Sequence, residues 1–436
     1  MTGATAALAL AEALPHATIE VFDQGRGLGG RTTHRRLRVD DAAVVSPLGP
    51  PAEPVYEFDH GCQFFRADTA RFRAVVDGWC ERGWAQEWRG RFGTLPGSGG
   101  SDGAADFFGL PSQPPFFCGV GGAHTLAIEL LAAATGSAVS VRTGTRVASI
   151  RPAPGDETAA APPAWQLSGT SGPAAFHDTS EACAQAADPN FLGEFDAVLV
   201  TDVSASMGQW HRASAGVPEA LARRVRGRVR VALFAALVAF DAPVPTNLDA
   251  AAVSGDGALW FAARTASKPG FNGGCECWTL VSTPAYAAAE VERVPMQDPE
   301  TGAFIPQTPE YLRDGPCALL LAAFAQSVGA PMPKVLHLSG QRWGSAFPAP
   351  AGRGGRDEDG RGPDTTEVLG VAYEAGVPPL VPEAGDQNAA PARSFLADDP
   401  ARLYYAGDYA SLGPPGVESA CLSALDAAAH IAEVLG

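Results

Sequence analysis

No apolar run in this chain approaches the roughly 20 residues needed to cross a bilayer, so a membrane-spanning role is excluded from the expectations. Basic charge is also scarce. Against 48 Asp and Glu stand only 31 Lys and Arg, a formal net charge of -17, which repels a phosphate backbone and argues against nucleic-acid binding. The cysteines (Cys62, Cys80, Cys118, Cys183, Cys275, Cys277, Cys317 and Cys421) lack the spacing of a disulfide framework. Cys275 and Cys277 are the one close pair and would share a strand face, but no further ligand stands at a spacing that would complete a metal site. Free buried thiols are expected, and with them a reducing compartment, either cytoplasm or an organellar matrix or stroma. Neither a basic segment leading into an apolar core nor an Arg/Ser-rich transit pattern opens the chain.

What the chain does have is 436 residues, 46% of them hydrophobic, enough for two intertwined domains around substantial cores. The run from Gly3 to Arg31 is the most informative. An Ala-rich helix, Ala4 to Ala13, leads into a β-branched strand, Thr18 to Phe22, which ends on Asp23 and is followed by Gly27-Leu28-Gly29-Gly30-Arg31. In a dinucleotide-binding unit an acidic residue ending the second strand accepts from ribose hydroxyls, and glycines at a helix start admit a pyrophosphate. Asp23 and Gly3 sit where those roles fall. Gly3 then takes the place of the last glycine in G-x-G-x-x-G, so the first strand and the first two glycines are expected upstream of Met1. Gly29 and Gly30 leave room for phosphates, and Arg31 supplies a forked donor.

Five stretches read as exposed, mobile insertions: Pro96 to Ala105, Pro152 to Pro163, Ser168 to Asp188, Ala349 to Pro363 and Pro382 to Ala392. Between them, a helix is expected over Thr125 to Ala134. Strands are expected over Ser137 to Val141, Arg146 to Ile150 and Trp165 to Leu167. Phe195 to Thr201 reads as one continuous strand buried in a parallel sheet. A helix over Pro218 to Val225 then precedes β-type runs at Val229 to Phe240, Ala258 to Arg264 and Trp278 to Thr283. These suggest an antiparallel sheet around a substrate chamber, closed by a helix from Tyr311 to Val328 and a strand from Val335 to Trp343. At the end, Leu403-Tyr404-Tyr405-Ala406-Gly407-Asp408 reads as a short strand. Its loop leads to Gly416-Val417-Glu418, which opens a helix whose positive end suits a site where negative charge develops.

The Gly29-Gly30-Arg31 segment, the Phe58-Asp59-His60-Gly61-Cys62-Gln63-Phe64-Phe65 block, Gly119-Val120-Gly121-Gly122, Ala266-Ser267-Lys268-Pro269-Gly270, Gln341-Arg342-Trp343 and the Gly407-Asp408 to Glu418 closure recur in one order. Together they resemble the renalase-like branch of the FAD-dependent oxidoreductases, in the amine oxidase superfamily. The resemblance implies an α/β fold, with a Rossmann-like, glutathione-reductase-like FAD-binding domain and an interleaved antiparallel-sheet substrate domain. The FAD-binding domain would comprise residues 1–65, 118–205 and 396–436. Residues 66–117 and 206–395 would form the substrate domain. The resemblance also implies tight, non-covalent FAD held by Gly3, Asp23, Gly29, Gly30, Arg31, Val147, Thr201, Gly407, Asp408, Gly416, Val417 and Glu418. Gln63, Phe64 and Lys268 are the catalytic candidates, with Phe65 completing a wall beside the flavin, and no metal is expected. His60 reads more readily as a structural histidine than as a base.

The implied activity is oxidation of a dihydronicotinamide-type (NAD(P)H-related) or other small hydride donor, with oxygen as acceptor. A dihydropyridine donor releases no proton on oxidation, which suits a site without an evident base. The alternatives are a flavin amine oxidase or desaturase, whose flavin an aromatic cage would surround, and a truncated remnant unable to hold FAD. Asp202-Val203 stands where such enzymes carry an apolar residue and Pro.

Overall fold

The protein is seen in a computed structural model that describes residues 1–45, 54–97, 115–134, 139–153, 164–171, 190–202, 217–226, 230–271, 274–295, 305, 307–348, 365–368, 371–374, 393–411 and 413–436. The first element is α1 (Thr2–Ala13), where an Ala-rich sequence with strong helix propensity buries Ala4, Ala6 and Ala7. After Pro15 the chain enters β1 (Ile19–Phe22). Gly29 and Gly30 then adopt φ of 120° and 57°, conformations open to glycine without steric cost, and a 3-10 turn carries the chain into β2 (His34–Arg38). That strand pairs antiparallel with β3 (Val44–Val45) on one side and β4 (Val55–Asp59) on the other.

Next come α2 (Ala70–Glu81), β5 (Ala85–Glu87), β6 (Phe92–Pro96), β7 (Phe117–Gly119) and α3 (Thr125–Ala134). β8 (Val139–Arg142) returns to pair parallel with β1, the register running from Ile19 opposite Val139 to Phe22 opposite Arg142. β9 (Thr145–Pro152), β10 (Trp165–Ser171) and β11 (Asn190–Phe195) form an antiparallel sheet with β10 in the middle. Beyond it, β12 (Val198–Val200) and α4 (Glu219–Arg226) complete this half of the chain.

The second half centres on β13 (Arg230–Phe240), buried along nearly its whole length. It joins β14 (Ala250–Ser254), β15 (Leu259–Arg264), β16 (Glu276–Ser282) and, after α5 (Pro284–Arg293), α6 (Pro309–Leu312) and α7 (Ala318–Val328), the long β17 (Val335–Pro348). The sheet order is β17-β13-β16-β15-β14-β6, antiparallel except where β6 runs parallel to β14. One face packs on α7, with Phe324 against Trp278 at 5.1 Å between ring centroids. Leu237, Ala239 and Cys277 on the other face meet Leu37, Tyr56 and Phe58 of β2 and β4. Burial on both faces explains the unbroken apolar run of β13. A hairpin, β18 (Thr365–Val368) with β19 (Val371–Glu374), precedes β20 (Leu396–Asp398), β21 (Leu403–Tyr405) and the closing α8 (Val417–Leu435).

Several expectations need correction. The run from Phe195 to Thr201 is not one strand: β11 ends at Phe195, the chain bends at Asp196, and β12 covers only Val198–Val200 in a different sheet, parallel to β21. β12 is also half-buried rather than enclosed. Ser168 to Ser171, read as the start of an insertion, extends β10, with Gly169 where a Cβ would lie 1.9 Å from the Arg146 carbonyl. Pro96 and Pro152 likewise end strands. Residues 98–105, 154–163, 172–188, 349–363 and 382–392 of those stretches lie outside the described residues. The helix expected from Tyr311 begins at Pro309 and passes through a π-turn at Arg313–Cys317. Pro316 has no N–H to give and crowds the preceding turn, so the hydrogen-bond ladder opens there.

Among the described residues all seven cysteines are free, no group of His, Cys, Asp and Glu could hold a metal ion, and no helix is long and apolar enough to cross a membrane.

Candidate functional site

The ends of β12 and β21 lie side by side, and the chain just beyond them lines a cleft. Val200, Thr201 and Asp202 come from one strand end, Gly407, Asp408 and Tyr409 from the other, and Arg31 from the glycine turn. The first turn of α1 reaches the same place. A Cβ on Gly3 would stand 3.2 Å from Thr201 Oγ1, and one on Gly407, where φ is 116°, 3.1 Å from Thr2 Oγ1. Gly407 N donates to Ser423 Oγ of α8 at 2.9 Å. About 270 Å³ of empty space lies in the cleft, part of it open solvent.

Arg31 and Asp408 meet directly. Arg31 Nη1 donates to Asp408 Oδ2 at 2.7 Å and Nη2 to Oδ1 at 2.6 Å, while Nη1 also donates to the Ala346 carbonyl at 3.1 Å. This two-pronged pair is geometrically strong. Burial works against the charge on Arg31, but Asp408 outweighs it and raises the pKa. Both groups expected on the cofactor are thus bonded to each other, and Asp202 brings a further carboxylate into the cleft.

A second constellation lies against the glycine turn. Cys62 N donates to the Arg31 carbonyl at 2.9 Å, and a Cβ on Gly29 would be 3.4 Å from His124 Cβ. Its centre is Asp59, fully buried at the end of β4. The antiparallel register sets His34 opposite Asp59 and Arg36 opposite Glu57, cross-strand pairs of the kind that stabilise a sheet. Asp59 Oδ1 accepts from Ala123 N at 3.1 Å and lies 3.0 Å from His34 Nδ1; Oδ2 accepts from Lys268 Nζ at 2.9 Å. Lys268 also donates to Gln63 Oε1 at 3.1 Å, and Gln63 Nε2 returns a bond to the Gly61 carbonyl at 3.0 Å. Thr279 Oγ1 donates to the Asp59 carbonyl at 3.0 Å, tying β16 to the same point.

Burial alone would push Asp59 up, but Lys268 and His34 reverse it and hold the carboxyl far below the usual range. Burial lowers His34, and its bonds to Asp59 and Glu57 more than compensate, raising it. His60 is pushed well down by burial and by the charges of Arg35 and His34, so its imidazole is neutral.

Lys268 is accordingly buried, with its side chain 1% exposed. Phe64 packs in an aromatic cluster, 4.8 Å from Phe116 and 5.8 Å from Phe261 between centroids, and Phe65 packs with Phe72, Trp79 and Phe117. Asp23 ends β1, where its Oδ1 accepts from Gly25 N at 2.6 Å; burial raises its pKa. Val147, on β9, packs in the cluster of Ile150, Trp165 and Leu403, which also holds the cleft residues Val200, Val225, Tyr405 and Ala410. Gly416, with φ of 142°, starts α8. The Val417 side chain packs against Ala4 and Ala7 of α1. Glu418 accepts from Asp68 N at 2.7 Å and Thr69 N at 3.0 Å, at the start of α2. Arg31, Thr201, Gly407 and Asp408 are therefore brought together, with Gly3 against them. Asp59 and His34 were missed. Their signal, an acid and a base alternating with apolar residues on two strands, becomes visible only once the strands are paired.

No protein-family model matches the chain, and no curated protein matches it. Among solved structures, a protein of Exiguobacterium sp. 255-15 provisionally named protoporphyrinogen oxidase superposes with a TM-score of 0.56 at 12% identity, covering 99% of this chain and 96% of that one. At that identity the likeness is one of fold. An aklavinone-11 hydroxylase in ternary complex with FAD and aklavinone gives a TM-score of 0.44 at 15% identity, over 100% of this chain and 61% of that one. The p-nitrophenol 4-monooxygenase of Pseudomonas putida DLL-E4 gives 0.43 at 15% identity, over 100% and 77%. The last two scores are too low to carry an argument.

Proposed function

We propose that the protein is an FAD-dependent oxidoreductase that oxidises a dihydronicotinamide-type or other small hydride donor, with oxygen as the electron acceptor. The observation that carries this reading is the convergence of Gly3, Arg31, Thr201 and Gly407-Asp408 on one cleft at the ends of β12 and β21. The fold shared with the Exiguobacterium protein supports it. The chain's own residues fit an anionic dinucleotide there. The first amides of α1 have no partner within the helix, and the residue before them, Met1, offers no side-chain cap; such a helix start receives phosphate well. The left-handed φ at Gly29, Gly30 and Gly407 lets backbone approach closely. Arg31 would exchange its bonds to Asp408 for part of the ligand, leaving Asp408 as an acceptor for hydroxyls.

Bound FAD would supply a two-electron acceptor at its ring nitrogen N5. Asp59 and Gln63 fix the Lys268 ammonium group in a dry, defined place as one half of a buried ion pair. Both Asp59 oxygens already have partners, so this carboxylate is poorly placed to take a proton from a substrate. That favours a donor losing hydride alone. The rings of Phe64, Phe116 and Phe261 fill one another's space rather than standing open as a cage, which weighs against an amine oxidase or desaturase. The test is anaerobic mixing of FAD-loaded protein with dihydronicotinamide isomers and, separately, with amines. Bleaching of the flavin by a dihydronicotinamide is expected; bleaching by amines alone would overturn the donor assignment.

A further inference from the structure

We propose that Arg35, oriented by Gln341, is an anion-binding site for the phosphate or carboxylate group of a small molecule, on the face of β2 that looks toward β17. The strand alternates: His34 and Arg36 face Asp59 and Glu57, while Leu37 packs on Leu237 and Ala239 of β13. Arg35 shares the Leu37 face and reaches β17, where its Nη2 donates to Gln341 Oε1 at 2.8 Å. Gln341 Nε2 donates to the Arg342 carbonyl at 3.0 Å, which fixes the amide with its oxygen toward Arg35.

The other two arginines of β2 are both neutralised. Arg36 pairs with Glu57 at 2.7 Å and Arg38 with Asp41 at 3.1 Å. Among the described residues no carboxylate pairs with Arg35, in a chain with 48 acidic residues to choose from. Its remaining donors, on Nε and Nη1, make no bond among those residues. The surrounding groups register the uncompensated charge. Burial and then Arg26 lower the pKa of Arg35 itself. Burial and then Arg35 lower those of His60 and His337.

A guanidinium held partly out of water against a neutral amide loses hydration without gaining an ion pair. An oxyanion would supply the missing half, with the two parallel charge-assisted bonds that Arg geometry favours. The place is reachable, since Arg35, Gln341 and Trp343 are all half-buried. It is also bounded: Trp343 stacks on His60 at 5.5 Å and donates through Nε1 to the His60 carbonyl at 2.7 Å. The inference does not depend on flavin binding.

The test is calorimetric titration of the full chain at low salt with inorganic pyrophosphate and, separately, with glutarate, accompanied by thermal melts. At least one of the two should bind the wild type. Arg35→Gln should weaken that binding by about tenfold or more, the scale of one lost charge-assisted pair, without lowering the melting temperature. Gln341→Glu offers an independent check: the new carboxylate should occupy Arg35, abolish anion binding and raise the melting temperature. Binding of pyrophosphate alone would identify a phosphate ligand, and of glutarate alone a carboxylate. Failure of both anions to bind the wild type, or undiminished binding by either variant, would overturn the proposal.

Discussion

Asp59 receives bonds from four different segments of chain, through its carboxylate from Lys268, Ala123 and His34 and through its carbonyl from Thr279. Replacing it with Asn leaves Lys268 buried without its counter-charge, so a loss of about 3–5 kcal/mol in urea unfolding is expected, the cost of breaking a buried pair from one side. His34 gives a pH signature. Its folded pKa is raised, so its contribution is fully present below the unfolded value of about 6.5 and is lost as pH rises through the folded one. Wild-type stability should therefore decline as pH rises above about 6.5 more steeply than that of His34→Gln; parallel declines in chemical denaturation would refute the assignment. Little of this was readable residue by residue. Asp23, Arg31 and Asp408 stand out by motif, but a sequence does not tell that Arg31 and Asp408 would pair, because 377 positions separate them.

At the scale of elements, the glycine turn and the loop after β4 lock together at Gly61. An added Cβ there would sit 2.1 Å from the Arg31 carbonyl, which accepts from Cys62 N. Gly61→Ala should cost about 1–3 kcal/mol, as overpacking does, and displace Arg31; an unchanged melting temperature would contradict this packing. Glu418 joins α8 to α2 through the amides of Asp68 and Thr69. Glu418→Gln keeps one acceptor oxygen of the two, so a loss of about 1 kcal/mol is expected from denaturation midpoints. Elements with strong local patterning were legible, among them α1, α3, α8 and the long β13. Short strands were legible only in part: β1, β8 and β21 were, β12 and β14 were not. The three residues of β12 have no period of their own, and only pairing with β21 separates them from β11. β14 escaped notice because its Ala-rich sequence has weak strand propensity. Small side chains belong there, where Ala250 and Ala252 pack against a cluster containing Phe116 and Phe261.

At the scale of the whole molecule, two bodies of sheet meet at the glycine turn. The parallel pair β12–β21 brings strand ends to the cleft with the first turn of α1 against them, and β17 of the six-stranded sheet reaches Arg31 through the Ala346 carbonyl. The central claim is that this meeting place binds FAD. Equilibrium titration of the purified chain with FAD, followed by quenching of flavin fluorescence, tests it most directly. Saturable binding is expected, weakened more by Asp408→Ala than by Asp23→Ala. Asp408 faces the cleft and is 2% exposed, whereas Asp23 is only half-buried, so water could replace any contact it would make to the ligand. A cooperatively folded wild-type protein that shows no saturable quenching, or equal losses in the two variants, would contradict the account.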